Sequence, residues 1–160
     1  MSELRPAAQR VQEALRQKGL DAQVRHMPAS TRTAQDAAAA CGCEVGQIVK
    51  SLVFRGQQSG KPYLLLVSGA NRVDEQAVAA EIGEALNRPD AAFVRDATGF
   101  AIGGIPPIGH PAPVATFIDR ALFAYDVVWA AAGTPDAVFP IAPRRLAEAA
   151  AATPIGVTGS

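Results

Sequence analysis

Histidine and cysteine are scarce in this 160-residue chain: two of each, alongside one tryptophan and two methionines. That scarcity removes whole classes of chemistry. His26 and His110 stand far apart in the sequence, and neither fits a metal-binding spacing such as HExxH. Cys41 and Cys43 are separated only by Gly42. No second ligand pair and no nearby histidine accompanies them, which argues against zinc, and a disulfide across one residue would be strained. They read as free thiols that pack or lie exposed, since nothing basic beside them would lower their pKa. No metal and no cofactor is expected.

Charge of either sign is also sparse. Fifteen Lys and Arg balance fifteen Asp and Glu, and charged residues make up 19% of the chain against 49% hydrophobic. Such a composition belongs to a folded globular chain. A net charge of zero argues against a grip on a long duplex, because that affinity comes from neutralising many phosphates. It leaves open the reading of one single-stranded end. The apolar runs are too short to cross a bilayer, and the first residues lack a basic-then-apolar signal region, so the default address is the cytoplasm, with no membrane partner. No linker and no repeat divides the chain, and residues 1–160 are expected to form one domain.

Several catalytic signatures are missing too. There is no Gly-x-Ser-x-Gly elbow. Residues 99–104 do not follow a strand and open a helix as a dinucleotide fingerprint would, and Pro106 and Pro107 would break such a helix. Of the three lysines, Lys18, Lys50 and Lys61, only Lys61 follows glycine, and Pro62 comes after it instead of the Ser or Thr of a phosphate loop.

What is present alternates between helical and strand patterns. Residues 4–18 carry Leu4, Ala8, Val11 and Leu15 at helical spacing before Gly19 stops them. Residues 21–27 alternate loosely and read as a strand ending at Pro28. Thr33 with Asp36 resembles a capping box opening an alanine-rich helix to Ala40. Residues 48–54 and 62–67 form a hairpin around the 57–61 turn. A helix is expected over 73–86, a short one over 89–94, a brief strand over 100–102 and a strand over 114–118. A helical turn over 119–123 precedes strands over 125–132 and 137–141 about the 133–136 turn. Residues 143–152 close the chain as a helix, with 153–160 as a flexible tail. Strands outnumber the helices that could serve as parallel crossovers. The fold class is therefore α+β, with a mixed, largely antiparallel sheet.

Lys50 is the anomaly. It interrupts Ile48-Val49-Lys50-Ser51-Leu52-Val53-Phe54, a run otherwise suited to a buried strand, and removing an ammonium from water costs several kcal/mol without a partner. Two readings are open. In one, the strand is an edge with Lys50, Ile48 and Leu52 on its wet face; in the other, Lys50 points into a pocket and meets an anionic or polar ligand. The second dense feature, residues 98–111, is rich in glycine and proline. It reads either as a plain surface turn or as a stiff loop whose N–H groups cradle a carbonyl or phosphate.

Taken in order, residues 48–54, 98–109, Ala131-Ala132-Gly133 and 139–146 resemble the YbaK / prolyl-tRNA-synthetase-associated domain family. These are free-standing trans-editing aminoacyl-tRNA deacylases, and the resemblance runs from about Val11 to Leu146. It implies a twisted mixed sheet forming a partial barrel with surrounding helices. The implied activity is hydrolysis of the ester joining a wrong amino acid to the 3′ adenosine of a tRNA, typically that for proline, with alanine, cysteine and serine as candidates. The implied partners are the 3′ end of aminoacyl-tRNA and prolyl-tRNA synthetase. Lys50 matches the family's essential lysine; Gly103, Gly104, Pro107 and Gly109 match its glycine-proline loop, and Gly133 matches the glycine after the late strand. Ser51 beside the lysine, His110 after the loop and Met27 complete the expected substrate-binding set. Met27 follows His26 where relatives often have tyrosine, and Ala131-Ala132 replaces a pair containing glycine and, in many relatives, serine. Both departures bear on the amino-acid pocket. The competing reading is a binding module that uses the same pocket for a nucleotide or nucleic-acid end without turnover.

Overall fold

The computed structural model describes residues 5–27, 31 and 33–158. Helix α1, Pro6–Gln17, places Ala8, Val11 and Leu15 on one buried face. Sealing the larger two contributes about 1.5–3 kcal/mol each. Leu4, Pro28 and Ser30 lie outside the described residues. The strand expected over 21–27 narrows to β1, Arg25–His26. Helix α2, Ala34–Cys41, opens where the Thr33 side chain accepts the Asp36 N–H, and a 3₁₀ turn at Val45–Gln47 leads into β2, Ile48–Gly56.

Strand β3, Pro62–Ser68, returns antiparallel along β2 from Arg55↔Pro62 to Val49↔Ser68. Helix α3, Glu75–Ile82, is shorter than the 73–86 periodicity predicts. Asp74 caps it, Gly83 ends it, and Leu86–Asn87 departs as β4 to pair with the far end of β2. Helix α4, Ala91–Thr98, starts later and runs longer than expected, because the Asp90 carboxylate accepts the Phe93 N–H as its cap. No strand forms over 100–102: the Phe100 N–H bonds the Thr98 hydroxyl instead of a neighbouring strand. Strands β5, Ala115–Asp119, β6, Val128–Ala131, and β7, Ala137–Ile141, follow, then helix α5, Pro143–Ala149. The expected tail is instead β8, Thr153–Ile155, parallel to β5, with Ile155 and Val157 buried.

The fold is α+β, with a mixed eight-stranded sheet in the order β1-β7-β6-β2-β3-β5-β8 and β4 attached to β2. Among the described residues its two outer strands do not pair with each other, so the sheet stays open. β3 sits near the middle and is apolar on both faces. Leu64 and Leu66 pack with α1, Phe139 and Ile118, while Leu65 and Val67 pack with Phe54, Val78 and Ile155. A strand covered on both sides needs a continuous apolar run, which is what Leu64-Leu65-Leu66-Val67 supplies. No helix among the described residues is long and apolar enough to cross a membrane.

Candidate functional site

β2 is an interior strand of the sheet, so Lys50 does not lie on an outermost strand. The strand nevertheless has one open side. Gly69 N–H bonds the Ile48 carbonyl and Gly56 N–H the Lys61 carbonyl, which makes the even-numbered residues of β2 those that exchange hydrogen bonds with β3. The odd-numbered residues turn their N–H and C=O groups the other way. There β6 pairs only with Ile48 and Val49, and β4 only with Arg55 and Gly56. Between them no strand among the described residues pairs with β2, and the main-chain groups of Ser51 and Val53 face a gap in the sheet.

Two hollows meet in that gap. One, of about 320 Å³, is lined by Thr31, Thr33, Ala34, Gly103, Gly104 and Ala131. The other, of about 350 Å³, is lined by Arg72, Val73, Arg88, Pro89 and Val94. Lys50, Ser51, Leu52, Ile102 and Ile105 line both, so the hollows are two ends of one cleft with β2 as floor and residues 102–105 as roof.

Lys50 is half-buried and its Nζ donates to the Asn71 carbonyl at 2.5 Å. Burial pushes its pKa below the usual 10.5 and nearby Arg72 pushes the same way, while Asp119 acts in the opposite direction. Asp119 also fixes the support. Its buried carboxylate accepts from the Asn71 amide at 2.9 Å, from Ser68 N–H at 3.2 Å and from Ala121 N–H at 3.0 Å. Ser51 differs from every other buried polar side chain described: its hydroxyl is buried and has no hydrogen-bond partner. A buried unpaired hydroxyl costs about 1–3 kcal/mol, and this one belongs to a residue that lines both hollows. The two threonines of the cleft are already engaged, Thr31 donating to the Pro135 carbonyl and Thr33 capping α2.

The glycine-proline loop has two destinations. Gly103, at φ +103°, and Gly104 roof the Lys50 cleft. Gly104 lies against the 133–134 turn so closely that a Cβ there would sit 2.7 Å from Thr134 N, and its carbonyl accepts the Gly133 N–H at 2.8 Å. Gly133 serves by this contact and by its fit against Ala7, whose carbonyl oxygen would be 2.7 Å from an added Cβ. Pro107, Gly109 and His110 instead line a separate hollow against α1 and residues 149–151. His110 is half-buried there, bonded through Nε2 to the Pro106 carbonyl at 2.8 Å and set edge-on to Phe100. Burial pushes its pKa below 6.5, opposed by that bond. The structure thus brings Lys50, Ser51, Gly103 and Gly104 together, with Gly133 behind them, and sets Pro107, Gly109 and His110 apart.

Met27 lines neither hollow. Its N–H bonds the Asp136 carbonyl, and its neighbour His26 meets the Asp136 carboxylate at 2.9 Å, fastening β1 to the 133–136 turn. Cys41 and Cys43 are free and half-buried, and burial first, then Cys43, pushes the Cys41 thiol up to about 11 despite Arg25. Among the described residues no cluster of three or more His, Cys, Asp or Glu could hold a metal. Sequence reasoning missed Asn71, Arg72, Arg88 and Asp119. Asn71-Arg72 carried a signal, since a polar pair directly after an apolar strand is where a sheet presents side chains to a site.

The sequence profile of the aminoacyl-tRNA editing domain matches residues 28–149. The chain belongs to that family. The match holds every lining residue of the cleft and leaves α1, β1 and β8 outside. Among solved structures, a candidate trans-editing enzyme for prolyl tRNA synthetase is 46% identical over 99% of this chain and 100% of its own, with a TM-score of 0.92. The hypothetical protein APE2540 is 29% identical over 92% of this chain and 98% of its own, with a TM-score of 0.85. The uncharacterized protein YwhH of Bacillus subtilis (strain 168) is 27% identical over 119 residues, 74% of this chain and 75% of its own. In this editing domain, then, the cleft is built on an unpaired stretch of strand edge.

Proposed function

We propose that this editing domain is a trans-acting hydrolase that cleaves the ester joining a wrong amino acid, alanine or cysteine, to the 3′ adenosine of a tRNA for proline. The observation that carries the reading is the cleft itself: a half-buried ammonium, an unpartnered hydroxyl and unpaired main-chain groups of β2 under the Gly103-Gly104 roof. The description of the 46% identical structure as a candidate trans-editing enzyme for prolyl tRNA synthetase supports the choice of tRNA.

The reaction needs a held ester and a stabilised oxyanion. Lys50, fixed by the Asn71 carbonyl, acts as a point charge on the nucleotide edge of the substrate. Water adds to the ester carbonyl, and the negative oxygen that forms is met by the Ser51 N–H, an oriented donor that need not reorganise. Collapse breaks the C–O bond, a proton passes to the ribose oxygen, and free amino acid and tRNA leave. No protein nucleophile takes part. The 320 Å³ hollow admits a small side chain, and discrimination by size alone is worth about 1–3 kcal/mol per methylene. Prolyl-tRNA synthetase is the partner that would hand over the mischarged tRNA.

A deacylation panel of alanyl-, cysteinyl- and seryl-tRNAs tests the reading. Alanyl- or cysteinyl-tRNA for proline should lose its amino acid, and Lys50→Ala should slow that by about a hundredfold or more, the usual effect of deleting one oriented electrostatic group. Unchanged hydrolysis by Lys50→Ala would reject the role given to the lysine. No hydrolysis of any mischarged tRNA, together with steeply salt-dependent duplex binding, would favour a binding module.

A further inference from the structure

We infer that the two ends of the cleft divide the substrate between them, and that the Arg72–Arg88 end is a phosphate site for the 3′-terminal nucleotide. The inference rests on the editing reading for what the nucleotide carries, but not for the presence of the site. The asymmetry of charge points to it. A chain with no net charge gathers Lys50, Arg72 and Arg88 around one 350 Å³ hollow, whereas the described residues that line the opposite hollow include no charged one other than the shared Lys50.

Among the described residues, the only carboxylate that meets these cations in an ion pair is Glu75, 3.3 Å from Arg88. Arg72 is exposed and forms neither a hydrogen bond nor an ion pair among the described residues, so its guanidinium is free for an anion. Arg72 also directly follows Asn71, whose carbonyl holds Lys50, so the two cations flank one short stretch of main chain. A planar fork of N–H donors suits a phosphate oxygen pair better than a single ammonium does. Apart from Ser51, the rest of that lining is apolar and includes Val53, Val73, Pro89 and Ile102, the last 60% exposed. Those surfaces fit the flat face of a base and the carbon skeleton of a ribose.

The amino acid's α-ammonium would be repelled from this end and directed to the other, towards the Ser51 carbonyl and hydroxyl. The ester then lies across Ser51, where the two hollows join. The cations of the described lining thus set the polarity of the cleft: phosphate towards Arg72, amino acid towards Gly103-Gly104.

Adenosine 5′-monophosphate and adenosine are the probes. Wild-type protein should bind the nucleotide about tenfold or more tightly than the nucleoside, the scale of one charge-assisted contact. Arg72→Gln with Arg88→Gln should erase that difference while leaving the thermal midpoint within a few degrees. In deacylation of mischarged tRNA, the same double variant should raise KM about tenfold with kcat within about threefold. Equal binding of nucleotide and nucleoside by the wild type would overturn the assignment, as would a double variant that retains the difference. Arginine-dependent nucleotide binding in a protein that deacylates no tRNA would uphold the phosphate site and reject the editing reading. The two claims therefore fail separately.

Discussion

Replacing Gly104 with alanine tests whether the roof of the cleft is held by its contact with the 133–134 turn. An added Cβ would lie 2.7 Å from Thr134 N and 2.8 Å from the carbonyl carbons of Gly133 and Thr134, all of them backbone atoms. No side chain can swing aside, so the loop or the turn must move. Such overpacking costs about 1–3 kcal/mol. The shift also endangers the Gly133 N–H bond to the Gly104 carbonyl, worth about 0.5–1.5 kcal/mol. Together a loss of about 2–4 kcal/mol is expected, read as a fall of about 5–15 °C in thermal midpoint for a chain of this length. Because Gly103 and Gly104 line the cleft, deacylation should fall as well, measured at a temperature where the variant is still folded. Gly60→Ala is the control. It strains a residue at φ +72° in the β2–β3 turn, touching only Arg55 at ordinary contact distance. It should cost about 1–2 kcal/mol and leave activity intact. A Gly104→Ala protein that melts and turns over like wild type would show that the loop is not clamped to the turn.

Ser51→Ala should leave stability unchanged or slightly raised, because the hydroxyl it removes is buried without a partner, yet it should lower deacylation; a clear loss of thermal stability would mean that the hydroxyl is bonded in the free protein. Glu84, held well below its usual 4.5, at about 2, by the Tyr63 hydroxyl and by Ser59, ties the β2–β3 turn to α3's end. Its depressed pKa adds stability that is complete above pH 4.5 and lost as pH falls through about 2, so the midpoint difference between wild type and Glu84→Gln should shrink over that window; a constant difference would contradict it. Cys41, with its thiol near 11 against an ordinary 9.0, should carry about a hundredfold less thiolate than a free cysteine at pH 8 and alkylate correspondingly slowly, followed by mass spectrometry. Rapid modification would reopen a nucleophilic role.

The parts of the fold legible in the sequence are those specified by neighbouring residues. The β2–β3 hairpin, the Thr33 cap and the buried face of α1 follow from local periodicity and turn chemistry. What escaped are elements defined by distant partners. β4 is two residues long, too short for any period to show, and exists because β2 pairs with it, while the strand expected over 21–27 shrinks to the two residues that pair with β7. Thr153-Pro154-Ile155 reads as a tail because only Ile155 is apolar, yet β5 offers it an edge and Ile155 a place in the core. Phe100 to Ile102 looks like a strand by composition, but one of those apolar residues is core and another is cleft ridge.

The site shows the same division at a finer scale. Lys50 was visible because an ammonium in an apolar strand is physically expensive wherever it lies. The gap beside it was not, since it exists only because the pairing of β6 with β2 stops at Val49 and that of β4 begins at Arg55, both set by segments far away in the chain. Such a gap is itself a constraint. Main-chain groups facing away from β3 must bond to something, and in most sheets that is another strand. A fold that withholds the strand over Lys50 to Phe54, buries a serine hydroxyl there without a partner, and sets cations at one end has left a row of unmet donors and acceptors. Under the proposal made above, an ester flanked by an ammonium on one side and a phosphate on the other would meet those groups in the order in which the cleft presents them.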